Sequence, residues 1–315
     1  MKTIIIIVGA ARSGSTLLAK AIGGHSSCFT VGEINRFNYE INNPETHCGC
    51  GKNLNKCSFW IEFLNSLNIQ FNNPNKEDIN NFDVGIFKQI TKKNKLYKLL
   101  PTVLFGKKYN NKEVETEIEN TFILYDKIFD KTKAKVIIDS TKGLFRALIL
   151  DSKAPKNIRF RFVHLTRDGR GVLNSGLKSS YAIMHNDGIL RKYEGIKNKD
   201  PLKIINSWLY VNLRNFIVLK LLRNKQSMFI RYEDFTDNPE KYLKIINKNV
   251  DLIYESSALN LGDQENHILG GNASRMNAKK INKIDDAWRT NLDKKTVKKF
   301  NSRAGWLNKI VGYHK

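Results

Sequence analysis

The chain has 315 residues, of which 41% are hydrophobic and 26% charged, so it has enough apolar sequence for an ordinary globular core, and an extended disordered chain is excluded. The formal net charge of +23 favours an anionic partner such as a nucleotide, nucleic acid, acidic glycan or membrane surface, although a passive basic surface would carry the same charge. Four cysteines are too few for a disulfide scaffold in a chain of this length.

The N-terminus imitates a signal peptide, with one lysine followed by an apolar run. That run is short, and it leads into Arg12-Ser13-Gly14 where a cleavable signal would have small residues. We interpret residues 4–8 as a buried parallel strand, followed by a turn and by a helix over residues 15–22. No stretch approaches the ~18 apolar residues of a membrane span, so the sequence predicts a cytoplasmic protein without a transmembrane segment.

Apolar patterns predict strands and helices that alternate along the rest of the chain. The predicted strands cover residues 136–138, 159–165 and 228–231, and the predicted helices cover residues 113–129, 143–150, 170–179, 202–222 and 240–247. This alternation predicts an α/β fold in which a central parallel sheet is flanked by helices. We expect one domain over residues 1–315, with residues 40–130 forming a cap or insertion over the binding crevice.

Ligands of such sheets bind where the strands end. The loops at Gly9, Asp139, Arg167 and Tyr232 are therefore expected to line one crevice.

Residues 9–16 nearly match the phosphate-loop template G-x-x-x-x-G-K-[ST], between a predicted strand and a predicted helix. The template's lysine, which contacts the β- and γ-phosphates of a nucleoside triphosphate, is replaced by Ser15. The nearest cation is Arg12, inside the loop, where it suits a donor that transfers a terminal group from a 5′-phosphate. Asp139 at the end of an apolar run is typical of the magnesium-binding strand of nucleotide hydrolases, so a P-loop kinase or NTPase is the alternative.

A second anion site is indicated by residues 159–180. A predicted strand ends at Arg167, and Ser175 follows on the next helix, so both can face the same crevice and bind a phosphate monoester. The alternative is that Arg167 pairs with Asp168 in the turn while Ser175 packs on its helix.

The loop from Arg12 to Leu18 resembles the 5′-phosphosulfate-binding loop of sulfotransferases that use 3′-phosphoadenosine-5′-phosphosulfate (PAPS), and residues 159–180 resemble the 3′-phosphate-binding motif of that family. The resemblance implies a P-loop-containing nucleotide-binding fold of the sulfotransferase type, closest to bacterial carbohydrate- and tyrosylprotein-type members. It also implies a catalytic cation at Arg12 and a reaction that needs no metal. The implied donor-binding residues are Arg12, Ser13, Gly14, Ser15, Thr16, Leu17, Arg167, Ser175 and Arg275.

Three further segments extend the resemblance. Residues 139–142, Asp-Ser-Thr-Lys, resemble an acceptor-side motif and imply a catalytic role for Lys142, which is otherwise a plain surface lysine. Residues 231–234, Arg-Tyr-Glu-Asp, resemble an architectural motif, and residues 267–275 resemble a carboxy-terminal motif whose arginine, here Arg275, closes over the nucleotide.

Transfer to a hydroxyl requires a base. Gly32-Glu33 resembles the Gly-Glu of tyrosylprotein and carbohydrate sulfotransferases, which implies that Glu33 is the base; an exposed loop carboxylate is the alternative. His25 and His267 are the next candidates, whereas His164 lies within a predicted strand and is expected to be a hydrogen-bonded core residue.

Cys48, Cys50 and Cys57 lie close together, next to His47. Their spacing is short and irregular for a zinc site, so a local disulfide or free thiols are favoured over zinc. Residues 48–60 resemble a Cys-x-Cys-Gly…Cys-x-Phe-Trp stretch of some bacterial sulfotransferases, and this resemblance implies no chemistry.

The sequence thus predicts an enzyme that transfers a sulfuryl group from PAPS to the hydroxyl of a small-molecule or glycan acceptor, with a carbohydrate or glycolipid preferred. The predicted cap over residues 40–130 would then cover the acceptor site. A basic nucleic-acid-binding protein is a second alternative; net charge alone supports it, and no basic-aromatic stacking motif accompanies that charge.

Overall fold

The structure, a computed structural model, describes residues 1–69, 71, 84–85, 112–178, 180–184, 190–194, 199–262, 265–272, 274–278, 280–281 and 286–314.

The described residues form two sheets. In chain order the strands are β1 Lys2–Val8, β2 Cys28–Gly32, β3 Val136–Lys142, β4 Ile158–Thr166, β5 Ser180–Met184, β6 Leu190–Glu194 and β7 Ser227–Arg231. Five of them pair in the order β2-β3-β1-β4-β7, with every neighbouring pair parallel, while β5 and β6 form a separate antiparallel pair. The predicted parallel sheet is confirmed.

The helices connect these strands. In chain order they are α1 Ser15–Gly23, α2 Phe37–Ile41, α3 Ser58–Asn65, α4 Lys112–Thr132, α5 Leu144–Ser152, α6 Gly169–Leu177, α7 Pro201–Leu222, α8 Tyr232–Asp237, α9 Pro239–Asn249, α10 Ser274–Asn277, α11 Trp288–Asn291 and α12 Lys294–Ile310. Short 3₁₀ helices cover Ile34–Arg36, Leu54–Lys56, Asn224–Gln226 and Ser256–Leu259. No helix in the described ranges is long and apolar enough to cross a bilayer.

Strand β1 lies at the centre of the sheet, and its sequence shows why. Residues 4–8 are each at most 1% exposed, because a central parallel strand is covered on both faces. Since successive side chains alternate between faces, Ile4 and Ile6 pack into one core cluster and Ile5 and Ile7 into another. The interpretation of this run as a strand is confirmed.

Helices cover both faces of the sheet. The cluster around Ile4 includes Trp60 of α3 and Leu124 of α4. The opposite cluster includes Leu18 of α1 and Leu243 of α9. Both faces are therefore buried, as an all-parallel sheet requires.

The C-terminal helix α12 was not predicted. Its sequence is rich in lysine, and only a narrow apolar stripe, which contains the buried residues Phe300, Ala304 and Leu307, interrupts the polar residues. That stripe packs against Trp208 of α7 and Leu173 of α6. The helix thereby supports the start of α6, where one predicted anion site lies.

Strand β3 is longer than predicted. The expected strand ended at Asp139, but pairing with β1 continues to Lys142, with Ile6 opposite Asp139 and Val8 opposite Lys142. A charged residue is tolerated inside this strand because Asp139 has buried hydrogen-bond partners, described below. Lys142, and not Asp139, therefore stands at the carboxyl end of the sheet.

The predicted cap over residues 40–130 stays a prediction. Within it, residues 70, 72–83 and 86–111 lie outside the described residues. The flanking parts, α3 and α4, pack into the main core, and α4 confirms the helix predicted from the spacing of its apolar residues.

Candidate anion-binding active site

The loop between β1 and α1 has the backbone of a phosphate cradle. Arg12 and Gly14 have left-handed backbones, with φ of 67° and 91°, and the Ser13 N–H donates to the Ala10 carbonyl oxygen at 3.3 Å to close the turn. Gly14 precedes the first residue of α1, so the free N–H groups of that helix start point out of the loop. Such N–H groups, at the positive end of the helix dipole, attract a phosphate.

Gly14 is required on two grounds. A Cβ there would lie 2.2 Å from Cδ2 of Tyr232, and the positive φ disfavours any side chain. We therefore expect Gly14→Ala to destabilise the fold by more than the ~1–3 kcal/mol of backbone strain alone. Gly51→Ala is the matched control, since Gly51 has φ +84° but a Cβ there would meet no atom within 4 Å. Equal losses of unfolding free energy in urea would show that the contact with Tyr232 is unimportant.

The loop opens into a cavity of about 1010 Å³. Nine predicted site residues line it: Arg12, Gly14, Ser15, Thr16, Leu17, Glu33, Lys142, Arg167 and Ser175. Within the described lining, five side chains are cationic and one, Glu33, is a carboxylate. A cavity with this excess of positive charge favours an anionic ligand.

Glu33 reaches the cavity because of a long-range backbone contact. Gly32, at the end of β2, has φ +82° and bridges to Leu269, whose carbonyl oxygen would lie 2.1 Å from a Cβ at Gly32. The Glu33 N–H then donates to the same Leu269 oxygen at 2.9 Å. Glycine is needed at position 32 for this approach, which holds the next residue at the cavity wall.

Glu33 and Lys142 form an ion pair in this wall, from Lys142 Nζ to Glu33 Oε1. Both side chains are 19% exposed, so the pair is partly buried yet open to the cavity. Lys142 is the last residue of β3. Its φ of 69° departs from the extended backbone, so its side chain does not follow the alternation of the preceding residues. Two of the three residues predicted to be catalytic, Glu33 and Lys142, are thus brought into direct contact.

Arg167 follows β4 and joins the two predicted anion sites. Its Nη1 donates to the Arg12 carbonyl oxygen at 3.1 Å, and its guanidinium lies 4.9 Å from the centre of the Tyr232 ring. The Arg167 carbonyl oxygen accepts a hydrogen bond from the buried Trp208 indole at 3.1 Å. Backbone and side chain are therefore both positioned, which favours a binding role for this arginine.

In the turn after Arg167, Asp168 pairs with Arg170, at 2.7 Å from Nη2, and accepts the Arg170 N–H as the N-cap of α6. Asn308 of α12 donates to the same carboxylate at 3.3 Å. Arg170 also stacks over Trp288 at 4.1 Å. The Arg-Asp-x-Arg sequence thus builds a rigid turn that presents Arg167.

Tyr232 lies between the two predicted anion sites and lines the cavity, as expected for the loop at this residue. Its ring packs beneath Gly14 and under Arg167. The neighbouring Glu233 accepts the Asp168 N–H at 3.0 Å, and burial raises the pKa of Glu233. This segment therefore ties the end of β7 to the Arg167 turn.

Two predicted donor residues lie outside the lining. Ser13 is 1% exposed, inside the loop. Arg275 donates to the carbonyl oxygens of Gly271 at 3.0 Å and His47 at 3.1 Å, and burial lowers its pKa. In this structure Arg275 supports the cavity wall from behind, and its predicted contact with a nucleotide stays a prediction.

Eight described lining residues were not among the predicted site residues: Ala11, Arg36, Tyr232, Gly271, Asn272, Ser274, Ala278 and Lys280. Arg36 follows Glu33 by one 3₁₀ turn, and its Nε pairs with Glu40 at 2.7 Å. The Asn272 N–H approaches Thr16 Oγ1 at 3.4 Å, so the segment after Leu269 runs along the start of α1. Arg36 could have been predicted from the sequence, because it lies three residues after the candidate base Glu33. No local sequence pattern indicates that Lys280 lies at the cavity.

Asp139 is fully buried and does not line the cavity. Its Oδ2 accepts from the Tyr125 hydroxyl at 2.6 Å and from Arg146 Nη1 at 3.5 Å, while Oδ1 accepts the Thr141 N–H at 2.8 Å. Burial and the Asp139 charge raise the pKa of Tyr125 well above its usual value. Both carboxylate oxygens are engaged, so the expectation that this residue borders the crevice is wrong.

The three histidines considered in the sequence have other surroundings. His164 is 2% exposed and contacts Asn212 Oδ1 at 3.2 Å, which confirms a hydrogen-bonded core residue. Burial lowers its pKa to about 4. His25 Nε2 lies 2.8 Å from the Ile253 carbonyl oxygen. His267 faces the cysteine segment. None of these is among the described cavity-lining residues.

Comparison with solved structures relates the chain to sulfotransferases. The sulfotransferase domain from the curacin biosynthetic pathway is 17% identical, with a TM-score of 0.53 over 97% of this chain and 98% of that one. The sulfotransferase domain from the Synechococcus PCC 7002 olefin synthase is 15% identical, with a TM-score of 0.49 over 96% and 94%. Mouse sulfotransferase SULT7A1 complexed with PAP is 10% identical, with a TM-score of 0.48 over 100% and 89%.

No protein-family model and no curated protein matches the chain. The first of the structural likenesses, with a TM-score above 0.5, shows that the chain has the sulfotransferase fold.

Proposed function

We propose that this protein, which has the sulfotransferase fold, transfers a sulfuryl group from PAPS to an acceptor hydroxyl, giving 3′-phosphoadenosine-5′-phosphate (PAP) and a sulfate ester. The observation that carries the proposal is that the phosphate loop and the pair Arg167–Ser175 line one cavity. Two anion-binding groups in one cavity suit a nucleotide with phosphates at both its 5′ and 3′ positions.

Donor binding divides between these two groups. The loop from Ser13 to Thr16 holds the 5′-phosphosulfate through backbone N–H groups, with Leu17 beside it. Arg167 and Ser175 hold the 3′-phosphate. Arg275, which donates to the Gly271 carbonyl oxygen in this structure, closes over the nucleotide when the donor binds.

The transfer step is an in-line displacement at sulfur. The acceptor oxygen attacks, the bond from sulfur to the 5′-phosphate oxygen breaks, and the acceptor proton passes to Glu33. Arg12 neutralises the charge that develops on the departing phosphate oxygen. Lys142, already paired with Glu33, orients that carboxylate and faces the sulfuryl oxygens.

The kinase alternative rested on Asp139, whose oxygens are committed to protein partners inside the core. Ser15, at the position of the triphosphate-binding lysine, already opposed it. Nucleic-acid binding rests on net charge alone, whereas five cations converge on one concave cavity of the size that suits a nucleotide.

The acceptor proposal is a small molecule or glycan, with a carbohydrate or glycolipid hydroxyl preferred. Part of the predicted cap over the acceptor site, residues 72–83 and 86–111, lies outside the described residues. A PAPS turnover assay with carbohydrate, glycolipid, small-alcohol and tyrosyl-peptide acceptors tests this choice by PAP formation. Turnover without added magnesium, on one acceptor class, is expected; ATP hydrolysis without PAPS turnover would contradict the proposal.

Arg167→Ala should weaken PAP binding ~10-fold or more, because a charge-assisted contact to the 3′-phosphate contributes ~1.5–3 kcal/mol. AMP, which has no 3′-phosphate, should bind the variant and the parent alike. Calorimetric titration with both nucleotides measures the difference. Arg159→Ala is the matched control, since Arg159 lies on β4, the strand that ends just before Arg167, and pairs with Asp251 at 2.5 Å, away from the cavity. Equal losses for PAP and AMP would remove the 3′-phosphate role.

A further inference from the structure

The clustered cysteines converge on a histidine that is distant in sequence. Cys48 and Cys50 lie in the loop before α3, and Cys57 is the residue that precedes this helix. His267 approaches from the segment after Leu261, and the ligand atoms of all four side chains lie within 4.8 Å of one another. The histidine considered from the sequence was His47, and that choice is wrong, because its Nδ1 faces the Glu45 carbonyl oxygen at 3.0 Å outside the group of four.

The distances within this group match a metal tetrahedron. Zn²⁺ has Zn–S bonds of about 2.3 Å and Zn–N bonds of about 2.0–2.1 Å, which place neighbouring sulfurs about 3.8 Å apart and sulfur and nitrogen about 3.5 Å apart. Cys57 Sγ lies 3.6 Å from Cys48 Sγ and 3.8 Å from Cys50 Sγ. His267 Nδ1 lies 3.5 Å from Cys48 Sγ and 3.4 Å from Cys57 Sγ. Four of the six edges are thus within a few tenths of an ångström of the expected lengths.

The surroundings hold the four side chains in place. Cys48 and Cys57 are at most 1% exposed, and the His267 ring stacks on Phe59 with 4.5 Å between ring centres. The Trp60 indole donates to the His267 carbonyl oxygen at 3.1 Å. His267 Nε2, the nitrogen that faces away from the sulfurs, lies 3.7 Å from a Glu265 carboxylate oxygen. A carboxylate behind a metal-binding imidazole fixes the ring and its tautomer.

The cysteine loop also has the backbone of a ligand turn. Gly51 has φ +84°, its N–H donates to the Cys48 carbonyl oxygen at 2.9 Å, and the Cys48 N–H donates to the Lys52 carbonyl oxygen at 2.9 Å. These two bonds fold residues 48–52 back on themselves. Cys48 and Cys50 therefore present their sulfurs to the same point.

We propose that Cys48, Cys50, Cys57 and His267 bind a structural Zn²⁺. Three thiolates and one imidazole are a ligand set that zinc prefers, and four protein ligands leave no position open for substrate. Binding removes the protons of the three thiols and forms three Zn–S bonds and one Zn–N bond, with no change of oxidation state. The proposal is independent of the reaction proposed above.

The metal would fasten one wall of the nucleotide cavity. His267 begins the segment that pairs Leu269 with Glu33 and brings Asn272 to Thr16, while the Gly49 N–H donates to the Ile268 carbonyl oxygen at 3.1 Å. Zinc would therefore join the cysteine loop to the segment that positions Glu33. Its loss is expected to lower the unfolding temperature and to loosen this wall.

The test is the metal content of the full-length protein, purified without chelators and dialysed against a small excess of Zn²⁺. We expect about one zinc per chain by mass spectrometry of the metals. Replacement by Co²⁺ should give the thiolate-to-metal charge-transfer band and intense visible bands of a tetrahedral thiolate site. This spectrum is measured on the unaltered chain, so it does not depend on whether a variant folds.

Single substitutions identify which side chains bind the metal. Cys57→Ala and His267→Ala should each lose zinc at least ~10-fold more readily to a competing chelator, whereas Cys28→Ala and His47→Ala, a buried cysteine and a neighbouring histidine outside the group, should retain it. A parent chain that holds iron or no metal, that shows a disulfide among these cysteines by thiol titration, or whose four variants all retain zinc equally would overturn the proposal.

Discussion

Arg12→Ala is expected to lower the turnover of PAPS by ~10²–10³-fold, the usual effect of removing one group that stabilises transition-state charge. PAP binding should fall far less, because the backbone N–H groups of the loop and the contacts of Arg167 remain. Arg12 already has a left-handed backbone in the parent chain, so the change to alanine adds no new backbone strain, and unfolding measured beside turnover checks that the variant folds.

Arg12→Lys tests whether the positive charge is what the reaction needs. It keeps a cation inside the loop and should retain far more turnover than the alanine variant. A near-normal rate for Arg12→Ala would remove this residue from the mechanism, and equal losses in both variants would show that a positive charge at this position is not enough.

Glu33→Gln should lower kcat by ~10²–10⁴-fold, the range for loss of a positioned general base. PAP should bind the variant at least as tightly as the parent, because the substitution removes the carboxylate from the cavity lining and leaves Lys142 without its partner. Turnover and calorimetry on the same preparation check both parts.

Glu62→Gln is the matched control for Glu33→Gln. Glu62 also pairs with a lysine, Lys131, but on the outer surface of α3 and α4. Its substitution should change neither quantity. Loss of PAP binding together with turnover in Glu33→Gln would point to a structural role for the ion pair with Lys142, and unchanged turnover would remove Glu33 as the base.

Features that depend on neighbours in sequence were predictable. The apolar strand β1, the loop around Gly14 and the helix α1 follow one another directly, so hydrophobicity and glycine spacing were enough to place them. The position of Arg167 and Ser175 beside one cavity was predictable for the same reason, since one strand, the turn after it and the next helix contain both residues. The parallel sheet followed from the alternation of these units.

Features that depend on contacts between residues far apart in sequence were not predictable. Strand β2 is short and is held by pairing with β3 and by the contact of Gly32 with Leu269, so no local pattern marks it. Helix α12 was missed because its buried face is narrow among lysines. The burial of Asp139 inside a strand was also missed. Its partners Tyr125 and Arg146 lie on two separate helices, and sequence periodicity does not show that these helices meet at the strand.

The cysteine group shows the same limit. The sequence placed His47 beside Cys48, whereas the histidine that meets the sulfurs is 210 residues from Cys57. A residue next to a cysteine in sequence need not lie next to its sulfur. The fourth residue of this group is therefore identified only by the folded structure.

The central claim is that one cavity binds a nucleotide with phosphates at both ends, and calorimetric titration with PAP, AMP and ATP in the absence of magnesium tests it most directly. Tight binding of PAP with weak binding of AMP is predicted, since Arg167 and Ser175 contact only the 3′-phosphate. Binding of ATP equal to or tighter than that of PAP would contradict this claim and return the protein to the P-loop kinases.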